Sequence, residues 1–280
     1  PLDNGTYLDV APFDKGENIR REICLTLQDM GFHTERSHHE SGPGQMEVDF
    51  TYGNLLNSAD NLITFKSVVR STATLNGLFA SFLPKPLKNK SGNGMHVNIS
   101  IRSEEKLDND QIRENMVAGI LNRIREITIF SSPLYNSYER LGYFEAPKRI
   151  GWGYGNRSTT IRIPKAKGRY SRLEVRTPDT AANPYLIYTL ICEAALEGIE
   201  NNLKPNNLVN INAFEINEGE FLPTNMEEAI NIAEESEFLK RVLPSILLKS
   251  YLKIKKAELE EYKKCEHTST LTEENYFPIY

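Results

Sequence analysis

A glycine–proline–glycine break separates two stretches of alternating sequence near the start of the chain. The run FHTERSHHE predicts a strand that enters the break, and Gln45 to Phe50 alternates like a returning strand. Period two places Glu47 and Asp49 on one face of that second strand. Because a tight turn joins antiparallel strands, this segment predicts a hairpin-like unit that carries acidic side chains.

Helical patterns follow on both sides of this unit. Apolar residues at helical intervals predict helices over about 15–30, from 58 into the low seventies, over about 109–127 and from Pro184 onward, with two amphipathic helices over 226–264. Asp14 and Glu17 are spaced as a capping box for the first helix. A further strand is predicted at 95–100. Strand pairs mixed with helices, without β-α-β alternation, indicate an α+β fold with an antiparallel sheet.

Composition limits the classes of function. The 33 Lys and Arg residues against 38 Asp and Glu give a net charge of -5, which argues against capture of nucleic acid or of an anionic membrane. The three cysteines show no paired spacing, so neither a disulfide framework nor a zinc ribbon is expected, and a cytoplasmic location is favoured. No apolar run reaches membrane-spanning length. Without a repeat or a linker, one domain over 1–280 is the simplest organisation.

The stretch SRLEVR, residues 171–176, concentrates charge on one strand face. Period two puts Arg172, Glu174 and Arg176 on one side, and Arg157 and Arg162 lie shortly upstream. The planar fork of arginine suits bidentate contacts with carboxylates and phosphates, which favours a phosphorylated substrate. An exposed edge strand with alternating charges is the alternative interpretation.

Acidic residues and one histidine on polar strand faces form a candidate metal set: Glu40, Glu47, His96 and Glu174. Carboxylate-rich ligands with a single histidine select Mg²⁺ or Mn²⁺ over zinc, and divalent ions beside arginines recur in phosphoryl transfer. The glycine-rich turn SGNGMH adds weak support, and the sequence has no GxxxxGK[ST] loop. From the residues alone, we expect a metal-assisted phosphoryl-transfer or phosphohydrolase site.

Several stretches, in their order along the chain, resemble the catalytic domain of bacterial-type glutamine synthetase. They are GTYLDVAPFD, HHESGPGQMEVDF, TFKSVVR, FLPKPL, SGNGMHVNIS, NSYERL, EAPKRIGWGYGNRSTTIRIP and RLEVRTPDTAANPYL. The resemblance implies that family's fold, a curved antiparallel β-sheet backed by helices, with peripheral C-terminal helices from about residue 226. It also implies an ATP-dependent ligase that forms γ-glutamyl phosphate from glutamate and lets ammonia displace the phosphate.

The resemblance further implies roles for single residues. Glu40 and Glu47 would bind one Mg²⁺ or Mn²⁺ ion, and His96 and Glu174 would bind a second ion near the ATP phosphates. The ammonium pocket would use Tyr7, Glu40 and the flap residue Glu145. His38 and His39 are expected to be structural or to support the ligands from behind.

The remaining matched positions are expected to contact substrate or nucleotide. Arg157 and Arg176 match residues that neutralise the transferred phosphoryl group. The substrate set is Arg140, Gly92, Ser91 and Arg176, and the nucleotide set is Arg162, Arg172, Ser100, Asn98 and Tyr52.

The chain also departs from the family pattern. Ser91 stands where the family has an asparagine that helps to fix glutamate, Asn98 replaces the second histidine of MHxH, and the loop between Arg140 and Glu145 is one residue short. The family's β-grasp domain and first catalytic strand, which carries two metal-binding glutamates, have no counterpart in these residues. We therefore expect an upstream segment, a full-length ring-type homo-oligomer with sites between subunits, and an inactive chain in its absence.

Two other functions remain open. One is a related ligase that joins glutamate to a polyamine or another amine, with which Ser91 is compatible, although Tyr7, Glu40 and Glu145 favour ammonia. The other is a non-catalytic homologue that acts as a scaffold or regulator. Against the latter, each metal and phosphate position that the chain covers holds a chemically competent residue.

Overall fold

The chain forms two compact units. The computed structural model describes residues 1–100, 109–165, 171–264, 276 and 279. The N-terminal unit comprises Pro1–Phe82 and Pro86–Gly92, and the C-terminal unit comprises Leu83–Lys85 and Asn93–Tyr280. Both units combine helices with strands, so the predicted α+β class is confirmed. One domain over the whole chain stays a prediction.

The N-terminal unit packs two helices with a hairpin. Its elements are α1 (Glu17–Asp29), β1 (Thr34–His39), β2 (Met46–Phe50) and α2 (Leu55–Leu75). The two strands pair antiparallel with His38 opposite Glu47, which confirms the predicted hairpin. Phe65 of α2 packs edge-on against Phe50 of β2, with ring centroids 4.9 Å apart. This aromatic contact joins α2 to the strand that carries Glu47.

The starts of both helices differ from the sequence-based prediction. The capping box predicted for Asp14 and Glu17 is wrong, because α1 begins after Gly16 without a side-chain cap. Asp14 instead accepts the Gly16 N–H at 2.8 Å and pairs with Arg20 at 2.7 Å. α2 begins earlier than predicted, because the side chain of Asn54 accepts the N–H of Asn57 at 2.9 Å and caps the helix there.

A buried polar network ties the first residues of the chain to the hairpin. Asp3 accepts the backbone N–H groups of Gly5 (3.0 Å), Lys15 (3.1 Å) and Gly44 (2.8 Å), and its Oδ1 lies 2.9 Å from His39 Nε2. Burial raises the pKa of Asp3, but these hydrogen bonds outweigh burial and lower it to about 2. Burial lowers the pKa of His39, yet the contact with Asp3 and that with a backbone carbonyl raise it overall. Both shifts favour the ionised pair.

We predict that part of the stability of the N-terminal unit is lost as the pH falls from about 4 to about 2. Asp3 has a lower pKa in the folded unit than in the unfolded chain. Its contribution to stability is therefore present above pH 3.8 and disappears as the folded carboxylate is protonated. Asp3→Asn should remove this part of the pH dependence and cost about 1–3 kcal/mol at pH 7, because an amide cannot accept all four donors.

Pulsed hydrogen exchange measures this loss of stability. The protein is incubated at each test pH and is then labelled at one fixed pH, and exchange is followed in peptides that cover β1 and β2. Asp29→Asn, at the exposed end of α1, is the matched control and should keep the wild-type profile. An unchanged profile in Asp3→Asn would contradict the assignment.

A four-stranded sheet in the C-terminal unit has the order β3–β6–β5–β4. Its strands are β3 (Val97–Ile99), β4 (Trp152–Tyr154), β5 (Ile161–Ile163) and β6 (Leu173–Val175). The pairs β3–β6 and β6–β5 are antiparallel, and β5–β4 is parallel. The register aligns Asn98, Glu174, Arg162 and Gly153 in one row across the sheet. This row confirms the alternation predicted for 171–176 and for the strand near 95–100.

The described part of the C-terminal unit contains five α-helices. They are α3 (Asn109–Ser131), α4 (Pro184–Glu200), α5 (Met226–Glu235), α6 (Glu237–Val242) and α7 (Ser245–Lys264). The tail thus forms three helices where two were predicted, because Ser236 ends α5 and caps α6 by accepting the Leu239 N–H at 3.0 Å. α5 and α6 pack against α3. Among the residues described, no helix is long and apolar enough to cross a membrane.

α3 and α4 meet through two glycines. A Cβ on Gly119 would collide with the backbone carbonyl of Ala194, and a Cβ on Gly198 would collide with that of Asn115. The two backbones therefore approach as closely as only glycine allows. α4 buries Ile187, Leu190 and other apolar residues, as expected of a core helix.

We predict that Gly119→Ala destabilises the C-terminal unit by about 1–3 kcal/mol, the usual cost of overpacking, even though alanine is the better helix former by about 1 kcal/mol. Urea unfolding followed by the fluorescence of Trp152, the single tryptophan, measures the change. Gly53→Ala is the control, because a Cβ there would meet only the flexible hydroxyl of Ser58. Stabilisation by Gly119→Ala would show that the helices can separate without cost.

Candidate active site

Three side chains that can bind a metal meet on the hairpin of the N-terminal unit. His38, Glu40 and Glu47 each offer one ligand atom, and these atoms lie within 4.8 Å of one another. His38 Nε2 lies 3.6 Å from Glu40 Oε1 and 4.0 Å from Glu47 Oε2. This nitrogen is buried and makes no hydrogen bond to the described residues. Tyr7 contacts the His38 ring edge-on, with centroids 5.5 Å apart. The structure thus brings the predicted ligands Glu40 and Glu47 together and adds His38 to them.

The carboxylates of this cluster are crowded. Burial, followed by the charges of Asp49 and Glu40, raises the pKa of Glu47 to about 8. A divalent cation would relieve this repulsion, and carboxylate oxygens with one imidazole suit Mg²⁺ or Mn²⁺. The unbonded His38 nitrogen and the crowded acids therefore fit a bound divalent ion. The hairpin register, with His38 opposite Glu47, is the signal in the sequence that could have indicated His38.

A second cluster of the same residue types does not fit a metal. Asp3, Asp14 and His39 also bring ligand atoms within 4.8 Å of one another. Their oxygens already accept backbone N–H groups, the imidazole or the Arg20 guanidinium. Because its acids are satisfied by these donors, this cluster is structural.

Glu174 is the centre of the charged face of the sheet in the C-terminal unit. Its Oε1 lies 2.6 Å from Arg176 Nη1, and its Oε2 accepts a hydrogen bond from Arg162 Nη1. His96 Nδ1 lies 3.3 Å from the same Oε1. The side chains of Glu174 and Arg176 are only 5% and 2% exposed. Two guanidinium groups thus share one buried carboxylate, an arrangement that is costly to break.

His96 is held as a neutral ring. Loss of hydration, followed by the positive charges of Arg176, Arg140, Arg162 and Arg157, lowers the pKa of His96 well below its ordinary value. A neutral imidazole can bind a metal or accept a hydrogen bond, whereas an imidazolium can do neither. Beside it on the sheet, Arg172 Nε donates to Asn98 Oδ1 at 2.8 Å, and Ser100 is exposed just after β3.

Glu145 and the arginines around it form the edge of this face. Glu145 Oε2 lies 3.5 Å from Arg157 Nη1 and 3.8 Å from Arg176 Nη2, and the latter also donates to the Glu145 carbonyl at 3.2 Å. Arg140 is buried and donates to the carbonyls of Thr177 and Arg176 at 3.0 and 3.3 Å. Burial lowers the pKa of Arg140 to about 10, so it stays charged at neutral pH. Arg140 therefore supports the backbone that carries Arg176.

Three predicted contact residues lie in the N-terminal unit. The carbonyl of Gly92 accepts a hydrogen bond from Gln45 Nε2 at 3.0 Å, and Ser91 precedes it. Tyr52 is 74% exposed. No contact described for these residues tests their assignment to substrate or nucleotide, and the assignments stay predictions.

Comparisons with known proteins identify the family. A sequence profile described as "Glutamine synthetase, catalytic domain" matches residues 1–274. The chain belongs to this family. It is 42% identical to a glutamine synthetase of Clostridium saccharobutylicum over 99% of its length, and 42% identical to one of Methanosarcina mazei over 95%. A solved structure described as "GmaS/ADP complex-Conformation 1" matches with a TM-score of 0.86 and 29% identity, over 99% of this chain and 68% of that one.

The match covers only part of the relatives. The chain spans 66% of the Clostridium protein and 63% of the Methanosarcina protein. The predicted family and its catalytic-domain fold are confirmed, and the activity of a whole protein remains a matter for proposal.

We predict that Glu174→Gln lowers the thermal unfolding temperature of the C-terminal unit. Arg162 and Arg176 would then face each other without a negative charge, and breaking a buried ion pair costs about 3–5 kcal/mol. Thermal unfolding followed by the fluorescence of Trp152, which lies in the same sheet, measures the change.

Glu145→Gln is the matched control. Its side chain is 55% exposed and its ion pairs are longer, so the same substitution should shift the unfolding temperature little. Equal shifts in the two variants would show that the Glu174 ion pairs add nothing to stability.

Proposed function

We propose that this chain is the catalytic part of an ATP-dependent ligase that forms glutamine from glutamate and ammonia. The observation that carries the proposal is the pair of ion pairs from Glu174 to Arg162 and Arg176, beside His96 on the polar face of the sheet. Phosphoryl transfer depends on cations and acids that align phosphates and neutralise their charge. A scaffold would not need such a cluster, because replacing a buried ion pair with packed apolar side chains is often neutral for stability.

The proposed reaction has two steps. The side-chain carboxylate of glutamate forms a bond to the γ-phosphorus of ATP as the bond to the ADP oxygen breaks, which yields γ-glutamyl phosphate and ADP. Ammonium first gives one proton to a carboxylate of the site. The nitrogen of the resulting ammonia then forms a bond to the acyl carbon, and phosphate leaves with the original carboxylate oxygen. The second proton that the nitrogen loses on formation of the amide leaves with the phosphate.

The residues of the site bind and orient the substrates, and they neutralise the negative charge of the phosphoryl group. We assign Arg157 and Arg176 to the transferred phosphoryl group and Arg140 to the substrate carboxylate, with Ser91 and Gly92 as further substrate contacts. The nucleotide set remains Arg162, Arg172, Asn98, Ser100 and Tyr52. The support is electrostatic, since Arg162 and Arg176 already converge on one acid and Arg140 holds the backbone of Arg176.

We assign Tyr7 and Glu40 to the binding of ammonium. The contact of Tyr7 with His38, which lies beside Glu40, supports this pairing. Glu145 is assigned to the exclusion of water, because an acyl phosphate exposed to water would hydrolyse before ammonia reacts. Its high exposure and long contacts with Arg157 and Arg176 suit a residue that moves.

Two divalent ions complete the proposal. Glu40 and Glu47 would hold one Mg²⁺ or Mn²⁺ ion, with His38 beside it. His96 and Glu174 would hold the other once Arg162 and Arg176, which here occupy both oxygens of Glu174, turn to the phosphates. When bound, such ions supply charge neutralisation at the phosphates. The crowding that raises the pKa of Glu47 and the neutral ring of His96 support these ligand assignments.

The relatives support the same class of chemistry. Two proteins at 42% identity are named glutamine synthetase, and the similar solved structure is described as a complex with ADP, which is the nucleotide product proposed here. A ring-type homo-oligomer remains a prediction for the full-length protein. A polyamine in place of ammonia is the second outcome that the experiment must distinguish.

An isotope experiment tests the proposal. The full-length protein that contains this chain is incubated with ATP, Mn²⁺, ammonium and glutamate labelled with ¹⁸O in the side-chain carboxylate. We expect glutamine, ADP and one ¹⁸O atom in the released phosphate, because the carboxylate oxygen leaves with phosphorus. Unlabelled phosphate would overturn the acyl phosphate, and product formed only with putrescine or spermidine would assign another amine. Comparable turnover by residues 1–280 alone would contradict the expected need for an upstream segment.

We predict that Arg162→Gln raises the KM for ATP about 10-fold or more, since one charge-assisted hydrogen bond contributes about 1.5–3 kcal/mol. Steady-state kinetics with varied ATP measure this effect. Arg241→Gln is the control, because Arg241 is exposed and pairs with Glu197 of α4 instead of with a residue of the sheet. An unchanged KM in Arg162→Gln would remove this residue from the nucleotide contacts.

A further inference from the structure

The imidazole of His39 connects the candidate metal cluster to a fixed anchor. Its Nδ1 lies 2.6 Å from the backbone carbonyl of Glu40, and its Nε2 lies 2.9 Å from Asp3 Oδ1. The ring is fully buried. We infer that His39 is a positioning residue, which holds the backbone of Glu40 so that its carboxylate stays beside Glu47 and His38. This inference rests on the proposed function, because it concerns the ion held by Glu40 and Glu47.

The anchor is rigid because backbone groups from separate segments surround it. Asp3 accepts the N–H groups of Gly5, Lys15 and Gly44, so its carboxylate cannot turn without breaking several hydrogen bonds. Gly5 lies directly against the His39 ring, since a Cβ there would stand 2.6 Å from Nε2. The ring is therefore confined both by its partner and by the backbone beside it.

Glu40 needs such support because it lies outside the strand ladder. β1 ends at His39, and Glu40 is the first residue of the turn. Its N–H donates to the carbonyl of Gln45 at 2.8 Å, so the ring of His39 supplies the hydrogen bond for the other backbone group. The carboxylate of Glu40 accepts the Ser41 N–H at 2.6 Å, and its Oε1 lies 3.6 Å from His38 Nε2. The backbone of Glu40 is thus fixed on both sides while its side chain stays available to a cation.

His39 also holds the backbone of the turn that contains Tyr7. The carbonyl of His39 accepts the N–H of Leu8 at 3.0 Å, and Tyr7 precedes Leu8 and contacts His38. His39 therefore contacts the backbones of two segments, one that carries Tyr7 and one that carries Glu40. Both of these residues are assigned to the binding of ammonium. Because both ring nitrogens of His39 face oxygen atoms of the protein, the ring cannot itself bind an ion without losing one of these contacts.

Two substitutions separate the two contacts of the ring. In His39→Asn, the amide nitrogen replaces Nδ1 and can donate to the Glu40 carbonyl, whereas in His39→Gln it replaces Nε2 and can donate only to Asp3. Both variants lose one buried hydrogen bond, and His39→Asn loses the charge-assisted one to Asp3, so His39→Asn should unfold at a lower temperature than His39→Gln. Only His39→Gln releases Glu40, and loss of such support typically weakens metal binding 10–100-fold.

The measurement is a titration of the 280-residue chain with Mn²⁺, followed by the electron paramagnetic resonance signal of free Mn²⁺. We expect His39→Gln to weaken Mn²⁺ binding at least 10-fold and His39→Asn to stay within about 3-fold of the wild type. Glu47→Gln identifies the affected site, because adding His39→Gln to it should weaken binding no further. Thermal unfolding of each variant without metal shows whether a loss of Mn²⁺ affinity merely reflects a loss of folding stability.

The outcomes are distinct. Equal Mn²⁺ affinities in His39→Gln and His39→Asn, or an undiminished effect of His39→Gln in the Glu47→Gln background, would overturn the positioning role while the proposed metal site stands. Failure of the wild-type chain to bind Mn²⁺ at all would overturn the proposed site and this inference with it.

Discussion

The buried contact between Glu174 and its two arginines is the interaction on which the C-terminal unit depends. An unpaired carboxylate on the central strand β6 would cost several kcal/mol, and so would either guanidinium without its partner. The sheet pairs all three because its register places Arg162 opposite Glu174 while Arg176 follows on the same face. The apolar sides of the same strands, with Leu173, Val175 and Ile161, are buried in the core. Charge pairing on one face and apolar burial on the other therefore require the same register.

The sequence predicted the parts of this arrangement that depend on local periodicity. The alternation in SRLEVR placed Arg172, Glu174 and Arg176 on one face, and the turn in SGPG predicted the hairpin. Contacts between distant segments could not be derived in this way. The pairing of Arg162 with Glu174 depends on which strands become neighbours, and no local pattern specifies that choice. The motif resemblance supplied the family, but it could not supply the hydrogen bonds.

The wrong predictions at helix ends also arise from contacts that local sequence patterns do not specify. Asp14 has the right spacing for a capping box, yet it is buried and bound to Arg20, so its carboxylate serves the network around His39 and Asp3. Ser236 lies within the segment 226–264, which was predicted as two amphipathic helices, and its hydroxyl caps α6 and divides the tail once more. For Asp14 the buried contact with Arg20 replaced the helix cap, whereas Ser236 makes the local cap and also donates to Glu126 of α3.

Two clusters in the N-terminal unit show how structural and functional acids differ. Asp3, Asp14 and His39 lie as close together as His38, Glu40 and Glu47, and both groups contain two acids and a histidine. The first group is buried and saturated by N–H donors, which lowers the pKa of Asp3. In the second group, burial and the charges of Asp49 and Glu40 raise the pKa of Glu47, and the His38 nitrogen makes no hydrogen bond to a described residue. Proximity alone therefore does not distinguish these two clusters. They differ in whether their groups already have hydrogen-bond partners, and His39 physically joins the saturated cluster to the crowded one.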